Sequence, residues 1–341
     1  MSDYNQTKTT LRKKVLSSLA QAVFDQDMAI TGIGISNRAK GKILRRIRRW
    51  LSRLENPLVT FELDGTEILI PLAHALPDYR KRFPHYSQNV ARMAGYVKAK
   101  YSELTLVDIG ANIGDSVVII RNVIHCPILC IEGDARFFEF LEMNTAQFRD
   151  VYLEHSFVGT LTGIIRATID SQKGTGHLVL TRDDVESFDE KVAVKTLSDI
   201  LKSHPLFAEF TMLKIDTDGF DIAILRSELD LLRQRKPVIF FEYDPHFVDE
   251  HTPDGNRIFE ELLSIGYKVA MVFENNGDYL CSVELTSQTL VEDIHEFYSG
   301  RASQRYCDIC VFHTDDVDLW RMARQAEIEF FRSYRGISYR K

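Results

Sequence analysis

The sequence predicts an α/β protein: a doubly wound, mostly parallel sheet of seven strands, preceded by a helical N-terminal extension. Three observations carry this reading. From Leu104 onward, short and continuously apolar runs alternate with helical patterns, as strands do when crossover helices bury both faces of their sheet. The first of these runs ends in a glycine-containing turn, VDIGANIGD (107–115), that leads into a helical stretch. Charge is also divided unevenly. Residues 1–53 hold twelve Lys/Arg against three acids, a surplus of nine, which leaves −16 on the remainder of a chain whose total is −7.

The bulk properties set limits. A chain of 341 residues with 45% hydrophobic content can form one large domain with attachments or two ordinary ones, and it excludes wholesale disorder. Its longest apolar runs, such as VVII (117–120) and VIFF (238–241), fall far short of the roughly 20 residues needed to span a bilayer. The start, MSDYNQTKTT, lacks the apolar stretch of a signal peptide. Five irregularly spaced Cys suit a reducing compartment. The expectation is a cytoplasmic protein, with peripheral membrane association left open by its basic segment.

Four regions are expected: a basic helical extension over 1–56, a hairpin and lid or linker region over 57–100, the α/β domain over 101–314 with an insertion at about 159–195, and a C-terminal helix over 315–341. Within the extension, 11–24 reads as an amphipathic helix and 32–41 as a glycine-punctuated loop. Ile43, Leu44, Ile47, Trp50, Leu51 and Leu54 then recur at helical spacing, with arginines in the gaps. LVTFEL, Asp64-Gly65 and TEILI read as a hairpin over 58–70. Strands are expected at 104–109, 128–131, 151–157, 211–215, 238–242, 267–273 and 307–312. Helices are expected at 114–124, 135–148, 196–204, 220–234 and 254–265. Residues 274–306 show no clear order. Cys307 and Cys310 form a lone CxxC on a strand, which favours burial over a metal half-site.

The glycine turn carries the chemistry. Strand two ends in CIEGD (130–134), which places Glu132 where an acid can hold the hydroxyls of a ribose at a Rossmann-like switch point. A dinucleotide turn would have glycine at the middle position, where Asn112 stands. Asp108 and Asp115 add negative charge that disfavours a pyrophosphate and suits a cation. The sulfonium and ammonium of S-adenosylmethionine meet that requirement.

These segments resemble the FkbM family of class I S-adenosylmethionine-dependent methyltransferases over roughly residues 104–245. VDIGANIGD is similar to that family's cofactor loop, so Asp108, Gly110, Ala111, Asn112, Gly114 and Asp115 are candidate cofactor residues. CIEGD resembles its ribose-binding segment, with Gly133 where Pro is usual and Glu132 as the acid. HSFVG (155–159) matches the segment that usually holds adenine, which implies Ser156 and Phe157. KTLSDIL (195–201) has Ser198 in place of an Asp, and LKIDTDGFDIAIL (213–225) has Asp218 and Asp221 in place of Glu. The resemblance implies O-methylation of a sugar, glycan or secondary-metabolite hydroxyl.

An alcohol must lose its proton as it attacks the methyl carbon, and a positioned carboxylate or His serves as base. Asp216 ends strand four and Glu242 ends strand five, so these two, with Asp218 and His246, are the catalytic candidates; Asp216 or Asp218 is favoured. If a divalent metal such as Mg²⁺ or Ca²⁺ takes part, Asp216 and Glu242 are its candidate ligands. Two rivals stay open, a methyltransferase-like scaffold without turnover and an NAD-dependent dehydrogenase. The helix at 42–54 packs on the core, docks on a protein partner or second copy, or lies on an anionic membrane surface. Nucleic acid is not an expected partner, because the body carries −16.

Overall fold

The computed structural model describes residues 2–30, 35–172, 175–180, 190–217, 219–245, 255–299 and 306–338. The chain packs as two compact units. One comprises residues 1–84 with 171–175, and the other comprises 85–170 and 176–341.

The first unit is built from helices α1 (Ser2–Met28) and α2 (Ile35–Leu54), the hairpin β1 (Leu58–Leu63) and β2 (Thr66–Pro71), and the short helix α3 (Leu76–Arg82). Asp64 and Gly65 make the two-residue turn that the sequence predicts, and the strands pair from Leu63↔Thr66 to Leu58↔Pro71. The expected 32–41 loop is overturned in part, because Ile35–Gly41 is the first stretch of α2. Glycine inside a helix costs about 1 kcal/mol against Ala, yet buried Gly41 is accommodated there. Val23, Phe24, Leu44, Leu51, Val59, Ile68 and Ile70 form the core of this unit. Arg48 is buried with them. Its guanidinium donates to the carbonyls of Leu72 (3.0 Å) and His74 (3.2 Å) and lies 3.1 Å from Asp78 and 3.6 Å from Asp27.

The second unit holds an eight-stranded sheet. Its strands are β3 (Leu106–Ile109), β4 (Ile128–Glu132), β5 (Val151–His155), β10 (Met212–Ile215), β11 (Val238–Tyr243), β12 (Tyr267–Glu274), β13 (Tyr279–Glu284) and β14 (Cys307–His313). The order is β13-β12-β14-β11-β10-β3-β4-β5. β5, β4, β3, β10 and β11 are parallel, while β14 runs antiparallel to both β11 and β12. All seven expected strands are present. The count of seven is corrected by β13, an edge strand whose half-exposed pattern gives no continuous apolar run. Helix α11 (Gln288–Ser299) follows it, so 274–306 is more regular than expected.

The insertion is a separate sheet ordered β6-β9-β7-β8, from strands β6 (Phe157–Val158), β7 (Gly163–Gln172), β8 (Thr175–Leu180) and β9 (Glu190–Lys195). The remaining helices are α4 (Gln88–Lys100), α5 (Asp115–Arg121), α6 (Ala135–Thr145), α7 (Leu197–Ser203), α8 (Asp221–Ser227), α9 (Leu229–Arg235), α10 (Ile258–Ser264) and α12 (Val317–Ser338). The predicted helix over 220–234 is divided at Glu228, whose buried carboxylate accepts from Ser198 N (3.2 Å) and Ser198 Oγ (2.5 Å). Cys307 and Cys310 are buried on β14 as free thiols.

This order positions the site. From β3 the chain winds outward through β4 and β5, then returns to place β10 against the other side of β3. The crevice above the carboxyl ends of β3 and β10 is therefore a topological switch point, where ligands of open α/β sheets bind.

Candidate active site

At the switch point the loop after β3 and the end of β10 touch. Gly110 has φ +77°, and a Cβ there would lie 1.8 Å from the Asp216 carbonyl oxygen, so only glycine fits. The loop is fixed on its other side by β4: Gly110 N and Ala111 N both donate to the Ile131 carbonyl, at 2.9 and 3.1 Å. Asn112 continues the turn in the left-handed region at φ +48°. Its backbone N–H donates to Glu132 Oε2 (2.8 Å), while Asp134 N donates to Glu132 Oε1 (2.8 Å). Both oxygens of Glu132 are thereby aimed by the backbone. Each keeps a further lone pair for a ligand.

These residues line an open cleft with about 580 Å³ of empty space. Its walls include Gly110, Asn112, Glu132, Gly133, Ser156, Phe157 and Asp216 from the sequence-derived candidates. Ile109, Ile131, Phe137, Val158 and Phe220 add apolar surface. Gly133 is explained by its neighbour. A Cβ at 133 would stand 2.3 Å from the Phe157 ring, so glycine is what lets that ring lie against the strand end. Ser156 Oγ is buried on the same wall, beside Glu154, without a well-formed hydrogen bond.

The structure sets other candidates apart from this cleft. Asp108 is completely buried and does not line it. Its register partner on β10 is Lys214, whose Nζ lies 2.9 Å from Asp108 Oδ1, and Ser116 Oγ donates to the other oxygen. Asp108 thus has an internal lysine as its charge partner. Ala111, Gly114, Asp115 and Glu242 also lie outside the cleft lining. Asp218 and His246 fall outside the described residues.

Lys214 also reaches Asp216 Oδ2 at 3.5 Å. Burial opposes its charge, but Asp108, Asp216 and Asp115 more than offset that and raise its pKa well above an ordinary lysine. Asp216 is the half-exposed member of the group and the one that reaches the cleft. Nearby carboxylates are held high by desolvation: burial pushes Asp115 and Asp221 up to about 6, and Glu132 and Asp308 up to about 7. Asp221 accepts from Thr217 Oγ1 at 2.8 Å and caps the turn after β10.

Sequence reasoning did not single out the polar group on the outer side of Asp216. Asp308 sits opposite Glu242 across β11 and β14 and accepts from Asn89 Nδ2 at 2.6 Å. Tyr86 is raised well above an ordinary phenol, by burial first and then by Asp216, Asp115, Glu242 and Asp308. Tyr306 is raised too, by burial and by Tyr86, Glu242 and Asp308. One signal was available in advance. A lysine and an acid inside otherwise apolar strands, as in MLKI and CDIC, must find polar partners. Among the described residues, no group of three or more His, Cys, Asp or Glu is arranged to hold a metal ion.

A doubly wound sheet with a glycine turn, a backbone-pinned acid and an apolar slot at its switch point can take a nucleoside. Residues 108–269 match the family described as Methyltransferase FkbM domain. That match takes in the glycine turn, Glu132, Asp216 and Glu242. No curated protein matches the sequence. Among solved structures, the chain is similar to a methyltransferase FkbM from Methylobacillus flagellatus KT, at 12% identity and TM-score 0.37 over 85% of this chain. This chain spans 58% of the length of that protein. It is also similar to an O-methyltransferase from Bacillus cereus in complex with SAH, at 12% identity and TM-score 0.38, covering 79% of this chain and 97% of that one. A third resemblance is to the METTL16 MTase domain, at 13% identity and TM-score 0.41, covering 87% and 91%.

Proposed function

We propose that this chain is an S-adenosylmethionine-dependent O-methyltransferase acting on a hydroxyl of a sugar, glycan or secondary metabolite. One observation carries the reading: a backbone-pinned Glu132 and a half-exposed Asp216 line a single cleft at the switch point.

The residues present fit the nucleoside part of the cofactor. Glu132 would accept from ribose hydroxyls, and the slot between Phe137, Phe157 and Val158 would take the flat base, with Ser156 Oγ available to it. S-adenosylmethionine, when bound, supplies an activated methyl group on a sulfonium. Asp216 accepts the proton of the acceptor hydroxyl, and Lys214, 3.5 Å away, holds its carboxylate in place. Glu242, Asp308, Asn89 and Tyr86 supply hydrogen bonds to the other hydroxyls of a polyol. Asp218 and His246 belong to the same proposal as further proton acceptors.

The test is transfer of a labelled methyl group to a panel of sugars, glycans and phenolic metabolites. Asp216→Asn should bind S-adenosylhomocysteine within about threefold of wild type and lose on the order of 10²–10⁴ in turnover. Full turnover in that variant would remove Asp216 from the chemistry.

A further inference from the structure

Helix α2 presents three faces. Leu44, Arg48 and Leu51 are buried within the first unit. At 3.6 residues per turn, Ile43, Ile47, Trp50 and Leu54 fall on a neighbouring strip about 60° wide. That strip is open to solvent: Ile43 and Trp50 are each 58% exposed and Leu54 is 47% exposed. Arg46 and Arg53 border the strip, and Arg38, Lys42, Arg45 and Arg49 continue around the helix away from it. All six are exposed, and none makes an ion pair with a described residue. Helix α1, which packs on α2, adds exposed Val15 and Leu19.

Exposed Ile, Trp and Leu on one strip are costly in water, and six exposed cations beside them repel one another. A surface that takes both must be apolar below and anionic above. We infer that α2 lies in the interface of an anionic bilayer, with Ile43, Trp50 and Leu54 in the acyl boundary and the arginines on lipid phosphates. An indole at this depth keeps its N–H among the headgroups, and arginines extend upward from their apolar stems. A nucleic acid would satisfy the cations but leave the apolar strip in water. The inference is independent of the chemistry at the cleft.

The test is flotation of the full chain with phosphatidylglycerol-containing vesicles and with pure phosphatidylcholine vesicles. The protein should float with the anionic vesicles alone and be released by raised salt. Replacing Arg45, Arg46, Arg49 and Arg53 by Gln should lower partitioning on the order of a thousandfold. Trp50→Ser should lower it about tenfold, since burial of one large apolar side chain is lost. Both sets alter exposed side chains, so an unchanged thermal melt certifies the fold. Equal flotation with phosphatidylcholine, or no flotation at all, would overturn the inference. So would a lipid-free dimer that Trp50→Ser splits, or binding of a DNA duplex that anionic vesicles do not displace.

Discussion

Asp108 and Lys214 illustrate how a residue's neighbours decide its role. Viewed along the sequence, an acid at the end of the first core strand beside a glycine turn faces the ligand. In the fold, Lys214 comes from a strand more than a hundred positions later and stands directly opposite it in register. The pair is internal, so removing either partner would strand a buried charge, at about 3–5 kcal/mol. Gly133 is the converse case, a departure from the family's Pro that the fold explains. Gly133→Ala would push a methyl into the Phe157 ring, at about 1–3 kcal/mol of overpacking or a displaced ring. Calorimetry with S-adenosylhomocysteine should show about tenfold weaker binding in that variant; unchanged affinity would mean that the ring is not part of the binding wall. Glu132 and Asn112 were both legible in advance, because a backbone-approach turn and an acid eighteen residues beyond Gly114 are local features. Asp308 and Asn89 were not, because they meet across 219 positions.

Elements were legible where one physical rule dominated. The strands of the central sheet announce themselves as unbroken apolar runs, and each of the seven forms. β13 escaped because an edge strand with one solvated side carries no such run. The start of α2 is hidden in the sequence because glycine's low helix propensity gives no sign that Gly41 is buried. Ser198 records a compensation between elements. It opens α7 and donates to Glu228 at the α8–α9 junction, where the acid usual in the family would oppose that carboxylate. The same hydrogen bonds mark where one predicted helix becomes two. Helix α2 itself shows that charge and hydrophobicity along a helix can be read from sequence, whereas the strip left open is decided only by which residues the unit buries.

At the scale of the molecule, the strand order gathers carboxylates at one end of the sheet. Asp115 and Asp221 at about 6, and Glu132 and Asp308 at about 7, all lie above their unfolded values near 4. The folded state therefore binds these protons more tightly than the unfolded state. Their stabilising contribution is complete below about pH 4 and is lost as pH rises through about 7. The melting temperature of the ligand-free protein should fall between pH 5 and 8, and Asp308→Asn should flatten that slope. A slope unchanged in the variant would mean that Asp308 ionises as readily in the fold as outside it. A cationic ligand favours the ionised forms, so its stabilising effect should grow over the same range.

Among the described residues, no helix is long and apolar enough to cross a membrane. The uneven charge first seen along the sequence thus has two settings. Glu132 and Asp216 line the switch-point cleft with further buried acids behind them, and basic groups line the open side of α2.

In the proposed function, Glu132, aimed by two backbone N–H groups, holds the nucleoside of S-adenosylmethionine at the switch point. Isothermal titration with S-adenosylhomocysteine of the wild type and of Glu132→Gln tests it most directly. One site per chain is expected in the wild type and about 10–100-fold weaker binding in the variant, the loss expected for hydrogen bonds to a charged group. No binding by the wild type, or equal affinity in the two proteins, would contradict it.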